Sequence, residues 1–253
     1  MELSVIIITK NEAANIRACL DSVAFATERI VVDFASSDDT VAIARSAGAT
    51  VIETTDWPGF GPQKNRALRA ATCDWVLSLD ADERVTDALR EEILAAIQKP
   101  AYDGYAISQL TTFYGHVVWH SGWYPNYAVR LFRRAAGRFS DDLVHERIVL
   151  DRLPYGRLAT PLLHHSYVKP DDYLRKVALY STLGAQQAFA AGRRGGLTTA
   201  ILHALSAFMR SYISRRGILD GRQGVMAAIL AAEAIYHKYF KLMLLTEEAK
   251  SRR

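Results

Sequence analysis

The sharpest chemical feature of this 253-residue sequence is a pair of carboxylates, Asp80 and Asp82, directly after the apolar run Trp75–Leu79. If the extended backbone persists, residues two apart point to the same side, so both carboxylates would lie together. Two like charges side by side are unfavourable unless a cation holds them, and a hard divalent ion such as Mg²⁺ or Mn²⁺ prefers oxygen ligands. The pair therefore predicts a metal site able to grip a diphosphate.

Further polar side chains stand at the ends of two earlier apolar segments. They are Thr9, Asn11 and Glu12 after the first segment, and Asp33, Ser36, Ser37, Asp38 and Thr40 after the second. Ligands of an open α/β sheet bind at the carboxyl ends of its strands. Capping of the next helix explains each residue alone, and Asp38 in particular. Their recurrence after three of the predicted strands favours a ligand site.

Three more residues have suitable chemistry for such a site. Lys64 begins a predicted helix and could approach a diphosphate as a point charge, and Arg130 is a second candidate for a phosphate contact. Solvated surface side chains are the alternative for both. His164 ends the apolar run Leu158–Leu163, where a neutral imidazole could complete a metal shell; a lone histidine is more often packed or capping.

Hydrophobic periodicity predicts the elements that must position these residues. Apolar strands alternate with amphipathic stretches up to about residue 100, which indicates βαβ units: strands over 3–9, 29–33, 50–53 and 74–79, with helices over 12–24, 38–47 and from 62. Alternating aromatic segments from about residue 103 predict antiparallel strands over 105–113, 117–120, 127–132 and 157–165. Helical periodicity then predicts helices over 171–191, 197–215 and 223–245. We therefore predict an α/β fold with a mostly parallel central sheet over residues 1–168 and a helical region over 169–253.

Composition excludes several classes of protein. Half of the residues are hydrophobic and 23% are charged, which excludes a disordered or collagen-like chain. Cys19 and Cys73 are too few for a disulfide scaffold and suit a reducing cytoplasm. The first residues read as a strand rather than a signal peptide. We expect no nucleic acid as a partner.

Charge is unevenly distributed along the chain. Residues 171–253 hold 13 Lys and Arg against 6 Asp and Glu, a net +7, although the whole chain carries only +4. Uncharged stretches such as 195–209 are shorter than the roughly 20 residues of a transmembrane helix. Apolar residues at helical spacing, flanked by arginines, can lie in an anionic headgroup layer. Packing on the catalytic domain or on a second copy explains the apolar stripe equally well.

Taken together, these segments resemble the family 2 glycosyltransferases. The resemblance is carried by Val5-Ile-Ile-Ile-Thr9-Lys-Asn11-Glu12, by Asp33-Phe-Ala-Ser36-Ser37-Asp38-Asp39-Thr40 and by Asp80-Ala81-Asp82. It implies a GT-A (nucleotide-diphospho-sugar transferase) fold and an inverting, metal-assisted sugar transfer. One loop departs from the pattern, because Phe34, Ala35 and Asp39 replace the Ser, Gly and Gly of the usual D-S-G-S-x-D-G-T.

Other segments extend the resemblance to the WaaE-type lipopolysaccharide core glucosyltransferases over nearly the whole chain. They are 59–65 (GFGPQKN), 75–83 (WVLSLDADE), 144–146 (VHE), 215–222 (RRGILDGR) and 236–242 (YHKYFKL). This likeness implies a UDP-sugar donor, with glucose favoured, and the inner-core heptose of a lipid A–core oligosaccharide as acceptor. It also implies a cytoplasmic enzyme, peripheral on the inner membrane. The C-terminal helices are a candidate for homo-oligomer formation.

The same resemblance assigns roles to the candidate residues. Thr9, Asn11 and Glu12 resemble nucleoside contacts, and Asp33 can accept the imide N–H of uracil. Inversion needs a base that removes the proton of the acceptor hydroxyl. The resemblance favours Glu146 as that base, with Asp142 second and a surface salt bridge as the alternative for Glu146.

For the metal, Asp82 is the predicted ligand, with Asp80 and His164 as further ligands. Two other functions stay open at this point. A nucleotidyltransferase also uses paired aspartates on a nucleotide-binding sheet, but usually has a basic, glycine-rich loop after the first strand. A non-catalytic nucleotide-sugar-binding protein would bind without turnover.

Overall fold

A computed structural model describes residues 2–113, 115–140, 147–166 and 170–251. The strands, in chain order, are β1 (Leu3–Thr9), β2 (Glu28–Phe34), β3 (Thr50–Thr54), β4 (Trp75–Asp80), β5 (Glu83–Arg84), β6 (Gly104–Phe113), β7 (His116–Val117), β8 (Asn126–Arg133), β9 (Gly137–Phe139), β10 (Ile148–Leu150), β11 (Gly156–Arg157) and β12 (Leu162–Ser166). The α-helices are α1 (Ile16–Ser22), α2 (Thr40–Ser46), α3 (Phe60–Ala70), α4 (Asp87–Gln98), α5 (Pro170–Ala190), α6 (Leu197–Met209) and α7 (Gly221–Ser251).

The central sheet has the strand order β3-β2-β1-β4-β8-β6-β12-β5. Its first four strands are parallel, as the βαβ pattern predicts, because each is joined to the next along the chain by a helix. β8 then pairs antiparallel with both β4 and β6, and β12 pairs antiparallel with β5. The predicted α/β fold of GT-A type, with a helical C-terminal part, is confirmed.

Strand β1 is buried on both faces of the sheet. Leu3, Val5 and Ile7 contribute to one hydrophobic core, which α1 and α4 also fill, while Ile6 faces a second core beneath α3. Successive side chains of a strand point to opposite faces, so a strand covered on both faces needs a continuous apolar run. This explains the composition of LSVIIIT.

Glu28, at the start of β2, links three chain segments. Its Oε1 accepts hydrogen bonds from Ser4 Oγ at 2.5 Å and from the backbone N–H of Thr72 at 2.6 Å. Partial burial opposes ionisation, but these hydrogen bonds outweigh it and lower the pKa of the Glu28 carboxyl below its usual value. The ionised carboxylate therefore holds the beginning of the sheet together.

Several predicted elements differ from the observed ones. Helix α1 begins at Ile16 rather than at residue 12. The N–H groups of Glu12 and Ala13 precede it and donate to the side chains of Thr40 and Asp38. The predicted strand 157–165 is two strands, β11 and β12, between which the N–H groups of Ala159 and Thr160 donate to Glu92. Helix α4 was not predicted, and α7 is longer than predicted.

The chain forms two compact units. The first comprises Met1–Leu110 and Asn126–His164, and the second comprises Thr111–Pro125 and His165–Arg253. The boundary predicted between residues 168 and 169 lies outside the described residues and stays a prediction.

Within the second unit, α7 packs against both α5 and α6. Ala185 and Ala188 of α5 meet Leu242 of α7 in a small hydrophobic core. None of the helices in the described ranges is both long enough and apolar enough to cross a membrane.

Candidate active site

The register of the parallel strands brings the predicted strand-end residues together. Thr9 of β1 lies opposite Asp33 of β2, and Ile8 of β1 lies opposite Asp80 of β4. The polar groups at these three strand ends therefore share one edge of the sheet, as expected for a ligand site of this fold.

Asp33 is an almost completely buried carboxylate, with 1% of the residue exposed. Its Oδ1 accepts hydrogen bonds from Thr9 Oγ1 at 2.8 Å and Ser36 Oγ at 2.6 Å, and its Oδ2 accepts one from the Ser36 N–H at 2.9 Å. A buried carboxylate is tolerated when it is hydrogen-bonded in this way. Asp33 thus fixes the path of the loop that follows β2.

The loops after β1 and β2 are joined by reciprocal hydrogen bonds. The Asn11 N–H donates to Ser36 Oγ at 2.7 Å, and Asn11 Oδ1 accepts from the Ser37 N–H at 2.8 Å. The Glu12 N–H donates to Thr40 Oγ1 at 2.7 Å. Most of the predicted nucleoside-contacting residues are therefore held in one rigid network at the sheet edge.

The residues that replace the usual Ser, Gly and Gly of this loop have distinct consequences. Ala35 has a φ of +46°, a left-handed conformation that glycine adopts more easily than alanine. The Lys10 ammonium lies 3.9 Å from the centre of the Phe34 ring, and the centres of the Phe34 and Trp57 rings are 5.2 Å apart. Asp39, with a φ of −76°, has an ordinary backbone conformation. Only Ala35 therefore strains the loop.

Asp80 is held between two cations. Lys64 Nζ lies 3.1 Å from Asp80 Oδ1, and Arg130 Nη2 lies 3.2 Å from Oδ2, while 38% of the Asp80 side chain is exposed. Burial of the carboxyl opposes its ionisation, but the charges of Lys64 and Arg130 hold its pKa well below the usual range. Both cations are themselves nearly buried. The predicted site residues Lys64, Arg130 and Asp80 thus form one cluster, which excludes the solvated surface alternative for both cations.

Glu83, which the sequence did not identify as a site residue, supports this cluster. Its side chain is completely buried, and its Oε1 lies 2.9 Å from Arg130 Nη2 and accepts a short hydrogen bond from Gln109. Its Oε2 accepts from the Asp80 N–H at 2.8 Å. Burial raises the pKa of the Glu83 carboxyl, and the Arg130 charge offsets this only in part. The position of Glu83 directly after Asp82 was the sequence feature that could have marked it as a site residue.

Asp82 contacts His164, whereas Asp80 contacts Lys64 and Arg130. The strand ends at Asp80, Ala81 and Asp82 form a turn, and Asp82 Oδ2 lies 3.1 Å from His164 Nε2. The antiparallel pairing of β12 with β5 places His164 opposite Glu83 and therefore beside Asp82. Burial alone would lower the pKa of His164, but the Asp82 carboxylate and neighbouring acidic groups raise it above its usual value.

Two of the three predicted metal ligands, Asp82 and His164, lie side by side. Asp82 and His164 offer a carboxylate and an imidazole side by side, which is a donor set suited to a divalent cation. Nowhere in the described ranges do three or more His, Cys, Asp or Glu side chains converge as a complete metal-binding group. Asp80 as a further metal ligand stays a prediction. The predicted bases, Glu146 and Asp142, lie outside the described residues.

The fold is of the GT-A type, and comparison with protein families defines the class of this chain. The profile of glycosyl transferase family 2 matches residues 4–152, more than half of the chain. The chain therefore belongs to glycosyl transferase family 2.

Individual relatives extend over nearly the whole chain. A lipopolysaccharide core biosynthesis glycosyltransferase, LpsC of Rhizobium meliloti, is 30% identical over 94% of this chain and 93% of its own length. An uncharacterized glycosyltransferase of Rickettsia typhi, RT0209, is 29% identical over 99% of this chain and 89% of its own length.

Solved structures align with this chain over smaller parts of the two chains. Glucosyl-3-phosphoglycerate synthase of Mycobacterium tuberculosis, in complex with Mn²⁺, UDP and glucosyl-3-phosphoglycerate, aligns over 44% of each chain with 25% identity and a TM-score of 0.38. TarS of S. aureus aligns over 72% of this chain and 39% of its own, with 19% identity and a TM-score of 0.48. Both alignments span less than half of the solved chains.

Proposed function

We propose that this family 2 glycosyltransferase transfers a hexose, with glucose favoured, from a UDP-sugar to the inner-core heptose of lipopolysaccharide, with inversion at the anomeric carbon. Family membership supports sugar transfer, and the name of the LpsC relative supports a lipopolysaccharide core acceptor. The observation that carries the proposal is the cluster of Asp80, Asp82, Lys64, Arg130 and His164 at the carboxyl end of β4.

The donor's nucleoside would be bound by the joined loops after β1 and β2. Thr9, Asn11 and Glu12 are the proposed nucleoside contacts, and Asp33 is the proposed acceptor for the uracil imide. Because Asp33 already accepts three hydrogen bonds, its orientation is fixed before a ligand arrives. A fixed hydrogen-bond acceptor discriminates between bases more sharply than an apolar slot does.

Asp82 and His164, with Asp80 as a further ligand, are the residues that would hold a divalent cation, Mg²⁺ or Mn²⁺. So few protein ligands leave coordination positions for the oxygen atoms of a donor diphosphate, as is common for these ions. Such a cation supplies stabilisation of the negative charge that develops on the leaving diphosphate. Lys64 and Arg130 add positive charge around Asp80 at the same strand end, and Asp80 contributes by orienting them.

The proposed reaction is a single displacement. The acceptor hydroxyl oxygen attacks the anomeric carbon, the bond from that carbon to the diphosphate oxygen breaks, and UDP leaves with the electron pair. Glu146, with Asp142 as second choice, takes the hydroxyl proton. We expect no covalent sugar–enzyme intermediate.

Peripheral contact with the cytoplasmic face of the inner membrane completes the proposal. Leu197, Ile201, Leu205 and Met209 repeat every four residues along α6, and each is about half exposed. No charged residue falls within α6, and arginines precede and follow it. An apolar stripe flanked by cations suits an anionic lipid surface. Homo-oligomer formation through the C-terminal helices stays a prediction.

The test is release of UDP from UDP-glucose, with Mn²⁺ or Mg²⁺ present or chelated, with and without a heptose-terminated lipid A–core acceptor. We expect metal-dependent release that the acceptor accelerates, and a loss of at least 100-fold in Asp82→Asn. Asp87→Asn, at a carboxylate with 88% of its side chain exposed, is the matched control and should retain activity. Thermal stabilisation by UDP should require metal and disappear in Asp82→Asn.

Other outcomes would identify the alternatives. Consumption of UTP with release of pyrophosphate would show a nucleotidyltransferase. Tight binding of UDP-glucose without turnover under every acceptor condition would show a binding protein. Equal stabilisation by CDP or GDP would refute the assignment of uridine. Failure to sediment with vesicles containing anionic phospholipid would refute the membrane contact.

A further inference from the structure

The second unit contains a concave site that the donor chemistry does not use. It is a cavity of about 380 Å³, formed where the segment before β8 meets the segment between α6 and α7. Its lining includes Trp119, His120, Tyr124, Arg215 and Arg216. The cavity therefore combines three kinds of binding group. Aromatic rings stack on sugar faces, an imidazole forms hydrogen bonds, and guanidinium groups pair with anions.

His120 is oriented by a buried carboxylate. Its Nδ1 lies 2.7 Å from Asp220 Oδ1, and Asp220 Oδ2 accepts the backbone N–H of His120 at 2.8 Å. The Asp220 side chain is 5% exposed and that of His120 is 32% exposed. Because the carboxylate accepts from Nδ1–H, the opposite ring nitrogen of the neutral imidazole, Nε2, is a hydrogen-bond acceptor for a ligand hydroxyl.

The aromatic wall has the form of a sugar-binding platform. Trp119 is 49% exposed, although a tryptophan of this size is usually largely buried. The Tyr124 ring packs edge-on against it, at 5.2 Å between centres and 85° between planes, which restrains the indole. An exposed, restrained aromatic ring offers its face to the C–H groups of a saccharide.

The two arginines bring positive charge that the protein does not neutralise. In the described part of the chain, neither the Arg215 nor the Arg216 side chain has an ion-pair or hydrogen-bond partner. Between Asp172 and Glu233 the sequence has one acidic residue, Asp220, and this residue is bonded to His120. Uncompensated guanidinium groups in a concavity favour a phosphate or carboxylate ligand.

The backbone is shaped to place Arg215 at this site. A Cβ at Gly122, which has a φ of +81°, would lie 2.6 Å from Arg215 Cδ, so any larger residue would displace the arginine. The Ser121 N–H donates to the Arg215 carbonyl at 2.9 Å, which joins the two segments. The backbone of Arg215 is therefore tied to the Gly122 segment, and its exposed side chain passes over Gly122.

We infer that this cavity binds a saccharide that carries a phosphate or carboxylate group. The aromatic wall contacts the apolar face of a sugar ring, His120 Nε2 accepts from a sugar hydroxyl, and Arg215 and Arg216 pair with the anionic group. Its role as the subsite for an anionic part of the acceptor rests on the proposed glycosyl transfer; the binding itself does not.

The experiment measures binding of glucose 6-phosphate, glucose and inorganic phosphate to the full chain by ligand-observed NMR titration. We expect glucose 6-phosphate to bind at least about tenfold more tightly than either fragment. Arg215→Gln should weaken the binding of glucose 6-phosphate about tenfold, because it removes one charge-assisted contact, and should leave the binding of glucose unaffected. Trp119→Ala should weaken the binding of both sugars and leave the binding of inorganic phosphate unaffected.

The control is Arg193→Gln, which removes an exposed arginine of the same unit that does not line the cavity. It should bind all three ligands as the unaltered protein does. Equal effects of Arg193→Gln and Arg215→Gln would reduce the inference to a general charge effect and overturn it. Equal binding of inorganic phosphate and glucose 6-phosphate, unchanged in Trp119→Ala, would overturn saccharide recognition.

The same variants separate this inference from the proposed function. Release of UDP from UDP-glucose without acceptor should be unchanged in Arg215→Gln, whereas KM for a phosphorylated acceptor should rise about tenfold. Absence of UDP release from the unaltered protein would refute glycosyl transfer and leave the binding result unaffected.

Discussion

The buried ion pair between Arg130 and Glu83 provides the most demanding test of the site's architecture. The Arg130 guanidinium lies 2.9 Å from Glu83 and 3.2 Å from Asp80, and the Glu83 side chain is 0% exposed. At an effective dielectric constant of about 20, the attraction to Glu83 is about 6 kcal/mol, and that to Asp80 about 5 kcal/mol. Desolvation of each ion costs several kcal/mol, so the net stabilisation is much smaller than this sum.

Removal of one partner should lower the free energy of unfolding by more than the net stabilisation from the intact pair, because the other charge is left buried without a partner. Arg130→Met leaves the Glu83 and Asp80 carboxylates beside each other with one of them fully buried, so we expect a loss of about 3–5 kcal/mol in the free energy of unfolding. Glu83→Gln keeps the shape of the side chain and leaves Arg130 paired with Asp80, so we expect a loss of about 1–2 kcal/mol.

A double-mutant cycle measured by urea unfolding isolates the interaction. The combined Arg130→Met and Glu83→Gln variant should be more stable than the sum of the two losses predicts, with a coupling energy of about 2–3 kcal/mol. The matched control is Arg138→Met, because Arg138 pairs with Asp151 at 3.4 Å with both side chains more than half exposed. This control should lose less than about 1 kcal/mol. Strictly additive losses in the cycle, or an Arg130→Met loss no larger than that of the control, would refute the reasoning.

Further predictions concern stability. Glu28→Gln should lower stability at pH 7 by about 1 kcal/mol; because the folded-state pKa of Glu28 is lowered, the difference from the unaltered protein should be full above pH 4.5 and shrink as pH falls below it, in urea unfolding at each pH. A difference that grew on acidification would contradict this sign. Ala35→Gly should raise the unfolding free energy by up to about 1 kcal/mol, because it relieves a positive φ; a lower melting temperature would argue against strain. Gly224→Ala places a methyl group against the Gly217 carbonyl oxygen and should cost about 2–3 kcal/mol. Gly184→Ala, which meets only the flexible Lys238 side chain, is its control and should be neutral or stabilising in circular-dichroism melts.

The sequence predicted the local elements with the strongest patterns well. The continuous β-branched run of β1 predicted a strand covered on both faces, and the structure confirms it over Leu3–Thr9. Polar residues after successive strands predicted a shared edge, because parallel strands end on the same side of a sheet. By contrast, helix α4 was not predicted, and the predicted strand 157–165 is two strands.

Contacts between residues far apart in sequence could not be predicted in the same way. His164 reaches Asp82 because β12 pairs with β5, and no local pattern specifies that pairing. Similarly, the sequence marked Arg130 as a candidate but gave no reason to place it between Asp80 and Glu83. The sheet register decides such contacts, and it results from the packing of the whole core.

The amino-acid sequence by itself determined the class of protein, because its strand-end motifs and its apolar periodicity are local features that can be read from one chain. Tertiary structure alone decided which charges neutralise one another: Asp80 between two cations, Asp82 against a histidine, and Asp220 against His120. Electrostatic energy depends on distance and burial rather than on order along the chain, and folding sets both.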